Sequence, residues 1–354
     1  MPTLFSPLQL GDLTLANRIV MAPMTRSRAI NNLANDLIET YYTQRASAGL
    51  IITEAVAVSP DGLGYARIPA IYNNEQTESW KKITQAVHDK GGRIFMQLVH
   101  TGRIGHPFNN PKGATILAPS AVQPAGQVWT DKAGMQDYPT PKAMTQKDVK
   151  KAIHEHATAA QNAMSAGFDG VEIHAASGYL PNQFLSTNAN LRKDIYGGDH
   201  KNRARFIIQL VRAVTKAIGS DKVGIKLSPG MSFNDVQISD APTLFSYLAE
   251  KLSAFQLAYL HVASPPNYTE FDVFNTIRKH YKGTLILGCA FDKEKGENLI
   301  KSNIADAIAY GALFLANPDL PQRFKINAPF NTPNRATFYA GGAEGLIDYP
   351  TLSA

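Results

Sequence analysis

The chain has 354 residues, of which 44% are hydrophobic and 18% charged, with a formal net charge of +6. This is the composition of an ordinary globular protein rather than a disordered one, and the length suits two average domains or one large barrel. Its basic residues are scattered, and the densest cluster, Lys147 to Lys151, lies in a helix-like segment that reads as a solvated face, which excludes nucleic acid as an expected partner.

In chain order, Leu4 to Asn17 alternates around Gly11-Asp12 and predicts a hairpin. Arg18-Ile-Val-Met-Ala-Pro-Met24 is the first continuous apolar run. Others follow at Gly49 to Ala55, Arg93 to His100, Gly170 to Ala176, Val223 to Ser228, Ala258 to Ala263, Leu285 to Gly288 and Ala307 to Tyr310, eight in all. Short runs that are apolar throughout are expected of parallel strands covered on both faces. Between them lie helical stripes: Trp80, Ile83 and Val87, closed by Gly91-Gly92; Val149, Ile153, Ala157 and Ala160 after the capping pattern Thr145-x-x-Asp148; Phe206 to Val214, ending near Gly219; and Tyr247, Leu248 and Leu252. Strands alternating with helices over this length predict a (β/α)8 TIM barrel spanning residues 1–354 as one domain, with an open doubly wound sheet as the runner-up. The Gly/Pro-rich stretch from Thr101 to Pro141 reads as a long insertion after strand three, on the face where barrel sites lie.

No apolar run reaches the ~18 residues of a membrane helix. The start, Met1-Pro2-Thr3-Leu4-Phe5, lacks the basic and apolar regions of a secretory signal, so a cytoplasmic location is the default expectation. The single cysteine, Cys289, excludes an internal disulfide framework.

In a barrel the C-terminal strand ends converge on one pocket. Those ends carry Pro23-Met24-Thr25, Glu54-Ala55, Gln97 and His100, His174, Lys226 and Ser228, and His261. Polar groups inside apolar strands are unfavourable without partners, so several at one mouth point to a site. His154 and His156 face different ways on a helix and no zinc-like spacing occurs, so no metal is expected. There is no Rossmann, Walker or nucleophile-elbow motif. The set suits a flat polar heterocycle.

Over nearly its whole length the chain resembles the old yellow enzyme family of flavin-dependent ene-reductases. The resemblance rests on Leu4-Phe-Ser-Pro-Leu8, Met21-Ala-Pro-Met-Thr-Arg26, Gln97-Leu-Val-His-Thr-Gly-Arg103, Phe168-Asp-Gly-Val-Glu-Ile-His174, Gln183-Phe-Leu-Ser186, Tyr196-Gly-Gly198, Asn202-Arg-Ala-Arg205 and Asn317-Pro-Asp-Leu320. It implies a (β/α)8 barrel carrying FMN, with NADPH or NADH as reductant, an activated alkene such as an α,β-unsaturated carbonyl as substrate, and a monomer or small homo-oligomer. Pro23, Met24, Thr25, Ala55 and Gln97 would line the isoalloxazine ring, and Lys226 stands where the family usually has arginine beside flavin N1. Hydride would pass from flavin N5. His174 would bind the substrate oxygen and Tyr179 would donate the proton, with Tyr65, Phe338 and Tyr339 walling the pocket.

Two departures from the pattern stand out. The second oxygen-binding residue, His or Asn in the family, is Ser177 here. At the flavin phosphate, the sequence reads Gly288-Cys289 and Gly311-Ala312, with Cys289 aligned to a family glycine and Ala312 to the family arginine. Losing a charged hydrogen bond of about 1.5–3 kcal/mol would weaken FMN by about 10- to 100-fold. Three readings follow: an FMN-dependent ene-reductase, a repurposed barrel that isomerises or cyclises a conjugated carbonyl with weakened or absent FMN binding, and a non-catalytic binding protein.

Overall fold

Eight parallel strands close into a barrel in the computed structural model, which describes residues 1–352. They are β1 (Ile19–Met21), β2 (Leu50–Ala57), β3 (Ile94–Val99), β4 (Gly170–Ala175), β5 (Val223–Leu227), β6 (Tyr259–Ala263), β7 (Leu285–Gly288) and β8 (Ala307–Tyr310). Each sits inside or over one of the eight apolar runs, and β8 pairs with β1 to close the ring. The open-sheet alternative is thereby set aside.

Every strand is followed by at least one helix, and the longer helices begin where the sequence supplies caps. Thr145 accepts from the Asp148 N–H and the Asp148 carboxylate answers to Thr145, the reciprocal pair that starts Gln146–Ser165. Asp199 caps His200–Ile218, and that helix ends at Gly219, whose φ of 93° suits glycine. The buried stripes of these helices and the outward faces of the strands form the main core.

A second core fills the barrel itself. Val20, Ile52, Phe95, Tyr259 and Ile286 meet Leu8, Leu10 and Leu15. The last three belong to the N-terminal hairpin, Leu8–Leu10 paired antiparallel with Leu13–Leu15, which plugs one end of the barrel. Gly224 makes room for the Tyr259 ring on the neighbouring strand, since a Cβ there would meet it at 2.3 Å. With its floor filled by apolar side chains, the barrel is free only at the opposite mouth.

The insertion after β3 contains structure that its Gly/Pro content concealed. Gln127–Thr130 and Gly134–Asp137 form an antiparallel ribbon, and Leu117–Ala118 pairs with Lys142–Ala143. Among the described residues no helix is long and apolar enough to cross a membrane.

Candidate active site

The C-terminal strand ends open into a cavity of about 1560 Å³. Pro23, Met24 and Thr25 after β1, Ala55 of β2, Gln97 of β3, His174 of β4 and Lys226 of β5 all line it. So do Ser177, Tyr179, Tyr65, Phe338, Tyr339, Gly311 and Ala312. Gly288 and Cys289 instead border a smaller pocket of about 310 Å³, whose wall shares Lys226 and Gly311 with the first. Every site residue chosen from the sequence therefore reaches one of two adjoining cavities.

Three of the polar strand-end residues do not: His100, Glu54 and Ser228, the last of which is buried and holds the loop after β4. His100 lies one residue past β3 and points the opposite way from Gln97; it is fully buried, accepts from the Gly102 N–H, and is held neutral by burial, its pKa pulled down to about 3. Glu54 is also buried, because a β-bulge between Ile52 and Ala55 breaks the alternation of β2 and gives Ala55 the cavity-facing place. Glu54 instead accepts from the Arg26 N–H, and its own N–H donates to the Tyr42 hydroxyl.

Strand register sets the polar floor of the site. His174 on β4 lies beside Lys226 on β5, which lies beside His261 on β6. One layer below, Glu172 on β4 lies beside Gln97 on β3. Glu172 joins the layers: its Oε1 accepts from Gln97 Nε2 at 2.7 Å and its Oε2 from His261 Nδ1 at 2.9 Å. Burial alone would raise the Glu172 carboxyl, but His261, Lys226 and Gln97 together hold it below its ordinary value. The carboxylate in turn supports the charge of Lys226, which burial pulls down, while His261 is kept neutral by burial. Among the described residues Lys226 Nζ has no hydrogen-bond partner, so a half-buried cation faces the cavity with its donors free.

His174 is neutral as well, its pKa held well below the usual histidine range by burial and then by Lys226 and His261. Its Nδ1 is buried without a partner. The ring meets Tyr179 edge to face, with centroids 4.8 Å apart. Tyr179 reaches this position because the chain turns immediately after β4 through Ser177, at φ 56°, and Gly178, at φ 76°. That turn is fixed by Ser228, which accepts the Ser177 N–H at 2.9 Å, and by Asn234, which donates to the Ser177 carbonyl at 2.8 Å. The Ser177 hydroxyl rests against the sulfur of Met231 at 3.8 Å. Burial pushes the Tyr179 phenol up to about 12, and a hydrogen bond shared with Tyr65 opposes the rise.

Sequence reasoning assigned no role to Glu172, Asn234 or the Gln127–Asp137 ribbon, whose Val128, Trp129 and Met135 line the large cavity. Glu172 had a signal: it is a charged residue in an apolar strand, two positions before His174 and so on the same face. Asn234 had none, because its contacts come from the meeting of two loops.

The residues at the strand ends fit a flavin ring system. Pro23, Met24 and Ala55 give an apolar wall, Gln97 a fixed carboxamide, Lys226 a free half-buried cation and His174 a neutral imidazole. Among the described residues no group of three or more His, Cys, Asp or Glu side chains is placed to hold a metal.

Comparison with known proteins agrees. Residues 3–331 match the family described as NADH:flavin oxidoreductase / NADH oxidase. The chain is 40% identical to 12-oxophytodienoate reductase 7 of Oryza sativa subsp. japonica over 374 aligned positions, covering 99% of this chain and 94% of that one. It is 41% identical to a probable flavin mononucleotide-dependent alkene reductase of Leishmania infantum, covering 99% and 97%. Among solved structures it resembles morphinone reductase in complex with tetrahydroNAD, with a TM-score of 0.96 at 43% identity over 100% of this chain and 98% of that one. The old yellow enzyme homologue from Zymomonas mobilis superposes with a TM-score of 0.96 at 37% identity, covering 99% and 100%.

Proposed function

The chain belongs to the NADH:flavin oxidoreductase / NADH oxidase family, the old yellow enzymes, and from that premise we propose that it reduces the activated C=C bond of α,β-unsaturated carbonyl compounds. It is an NAD(P)H-dependent flavin oxidoreductase. FMN, when bound, would supply the two-electron redox chemistry that links NAD(P)H to the alkene. Pro23, Met24, Thr25, Ala55, Gln97 and Lys226, which line the cavity, would hold the ring system.

The protein's own groups prepare the alkene. His174 is a neutral donor beside the cavity, and a hydrogen bond from it to the substrate carbonyl withdraws charge from the β-carbon as negative charge builds on the oxygen. Tyr179 stands against His174 and keeps its proton at neutral pH, so it can deliver that proton to the α-carbon. The observation that carries this reading is the contact of these two side chains at one wall of the cavity that also holds the free Lys226 cation.

The test separates the two half-reactions. Anaerobic NADPH should bleach the flavin, and 2-cyclohexenone added afterwards should restore its colour with formation of the saturated ketone. Bleaching that no activated alkene reverses would defeat this reading in favour of an isomerase or cyclase on a conjugated carbonyl.

A further inference from the structure

The end of the site behind β7 and β8 differs in kind from the end that faces the ring. In (β/α)8 barrels a ligand's phosphate is frequently taken by the loops after strands seven and eight, where backbone N–H groups and a charged side chain can meet it. Here those loops read Gly288-Cys289-Ala290 and Gly311-Ala312. Gly288, Cys289, Ala290 and Gly311, with Ala22, Ala263, Pro265 and Ala309, enclose a mostly apolar pocket of about 310 Å³, and Ala312 lies on the adjoining wall of the large cavity.

Lys226 is the sole lysine or arginine of that wall among the described residues, and it is already the charge partner of Glu172. His261, also in the wall, donates to the same carboxylate. Arg335 lines the large cavity and not this pocket, and it is exposed to solvent. Lys295 is felt electrostatically at Cys289 but is exposed and outside the wall. Ala290 carries a methyl at φ 51°, a backbone position that favours glycine. Backbone N–H groups of the two loops are the donors left for a phosphate there. Moving a double charge out of water onto neutral donors alone, with no cation in the wall but the one that Glu172 already offsets, is unfavourable.

We propose that this protein holds its flavin by the ring system and not by the phosphate, so that riboflavin, whose ribityl end is uncharged, binds as tightly as FMN. The proposal rests on the flavin reading given above and narrows it to the chemical form of the cofactor that the pocket can tell apart.

The test is a titration of the flavin-free, full-length protein with riboflavin and with FMN, followed by flavin fluorescence at low and at high salt. The two dissociation constants should agree within about threefold. FMN affinity should also be insensitive to salt, because no phosphate ion pair is there to be screened. Ala312→Arg should tighten FMN by about 10- to 100-fold while leaving riboflavin unchanged. FMN binding about tenfold or more tighter than riboflavin to the unaltered protein would overturn the proposal. Binding of neither flavin would instead overturn the flavin reading beneath it. The comparison on the unaltered protein decides the matter even where the arginine variant fails to fold.

Discussion

The hydroxyls of Tyr179 and Tyr65 share a hydrogen bond at 3.3 Å, with their rings edge to face and centroids 6.1 Å apart. Tyr179 is thus bracketed by His174 on one side and a second phenol on the other. A proton donor needs something to steady the charge it acquires, and Tyr65 is placed to do that when Tyr179 becomes phenolate.

Tyr179→Phe removes the proton and keeps the ring packing. The alkene half-reaction should slow by about 10²–10⁴, the range of general acid catalysis, while flavin reduction by NADPH stays within a factor of about two. Stopped-flow measurement of each half-reaction checks this, and equal losses in both would contradict the proton-donor role. Because the phenol is pushed up to about 12, the alkene step should be flat from about pH 6 to about pH 10 and decline only as Tyr179 deprotonates above that.

Tyr65→Phe tests the bracket. Its hydrogen bond lowers the Tyr179 pKa, so its loss should raise that pKa further and make Tyr179 a weaker acid. A hydrogen bond to a charged group contributes about 1.5–3 kcal/mol, so the alkene step should slow by about tenfold or more. The expected signature is a change in that step alone, with substrate affinity altered less than its turnover.

Lys226 and Glu172 make a third relationship testable. The lysine is a half-buried cation with a buried counter-charge and no hydrogen-bond partner among the described residues. A cation beside the flavin stabilises the more negative, reduced form. Lys226→Gln should therefore lower the flavin reduction potential by about 30–60 mV, the two-electron equivalent of losing about 1.5–3 kcal/mol. Potentiometric titration against reference dyes would show it, and an unchanged potential would place Lys226 away from the ring.

The barrel was legible because parallel strands buried on both faces must be apolar throughout, and the eight runs stood out for that reason. The strand-end residues were legible because polar side chains in such runs need a reason to be there. What the sequence concealed was direction. The bulge in β2 turns Glu54 away and Ala55 inward, and no local composition announces it. His100 is one position out of phase with Gln97, so a side chain that looks like a mouth residue is packed behind the barrel wall. The ribbon over the cavity was hidden for another reason. In Gln127–Thr130 the side chains alternate exposed and buried, which is a weak signal beside glycines and prolines. The Asn234 contact that fixes the turn at Ser177 depends on tertiary folding alone.

Glu54 offers a test of that hidden packing. Burial raises its carboxyl to about 7, against an ordinary value of 4.5, with Arg26 opposing the rise. A folded-state pKa above the unfolded one means stability that is complete below about pH 4.5 and is lost as pH rises through about 7. A shift of that size corresponds to roughly 3 kcal/mol. Glu54→Gln removes the titration, so the variant should gain on the parent steadily as pH rises from about 5 to about 8. Thermal or urea unfolding across that range measures it. A constant difference at all pH values would show that the carboxyl is not held protonated by burial.

Ser177 is the residue at which this site departs most from a two-donor grip on a carbonyl oxygen. Its backbone lies at φ 56°, a left-handed position that asparagine adopts more readily than serine. Its hydroxyl is turned to Met231 rather than reaching across the cavity. Ser177→Asn keeps the backbone conformation and supplies a longer side chain with an N–H donor. A second donor aimed at developing oxyanion charge strengthens as the reaction proceeds, so kcat/KM for simple enones should rise by about tenfold or more, with most of the gain in the alkene half-reaction. The same substitution should slightly raise thermal stability, since the strained serine is relieved. A fall in kcat/KM for small enones, with stability intact, would mean that the space beside the short serine is itself used by the substrate, and that the natural alkene is bulkier at that edge than a cyclic enone.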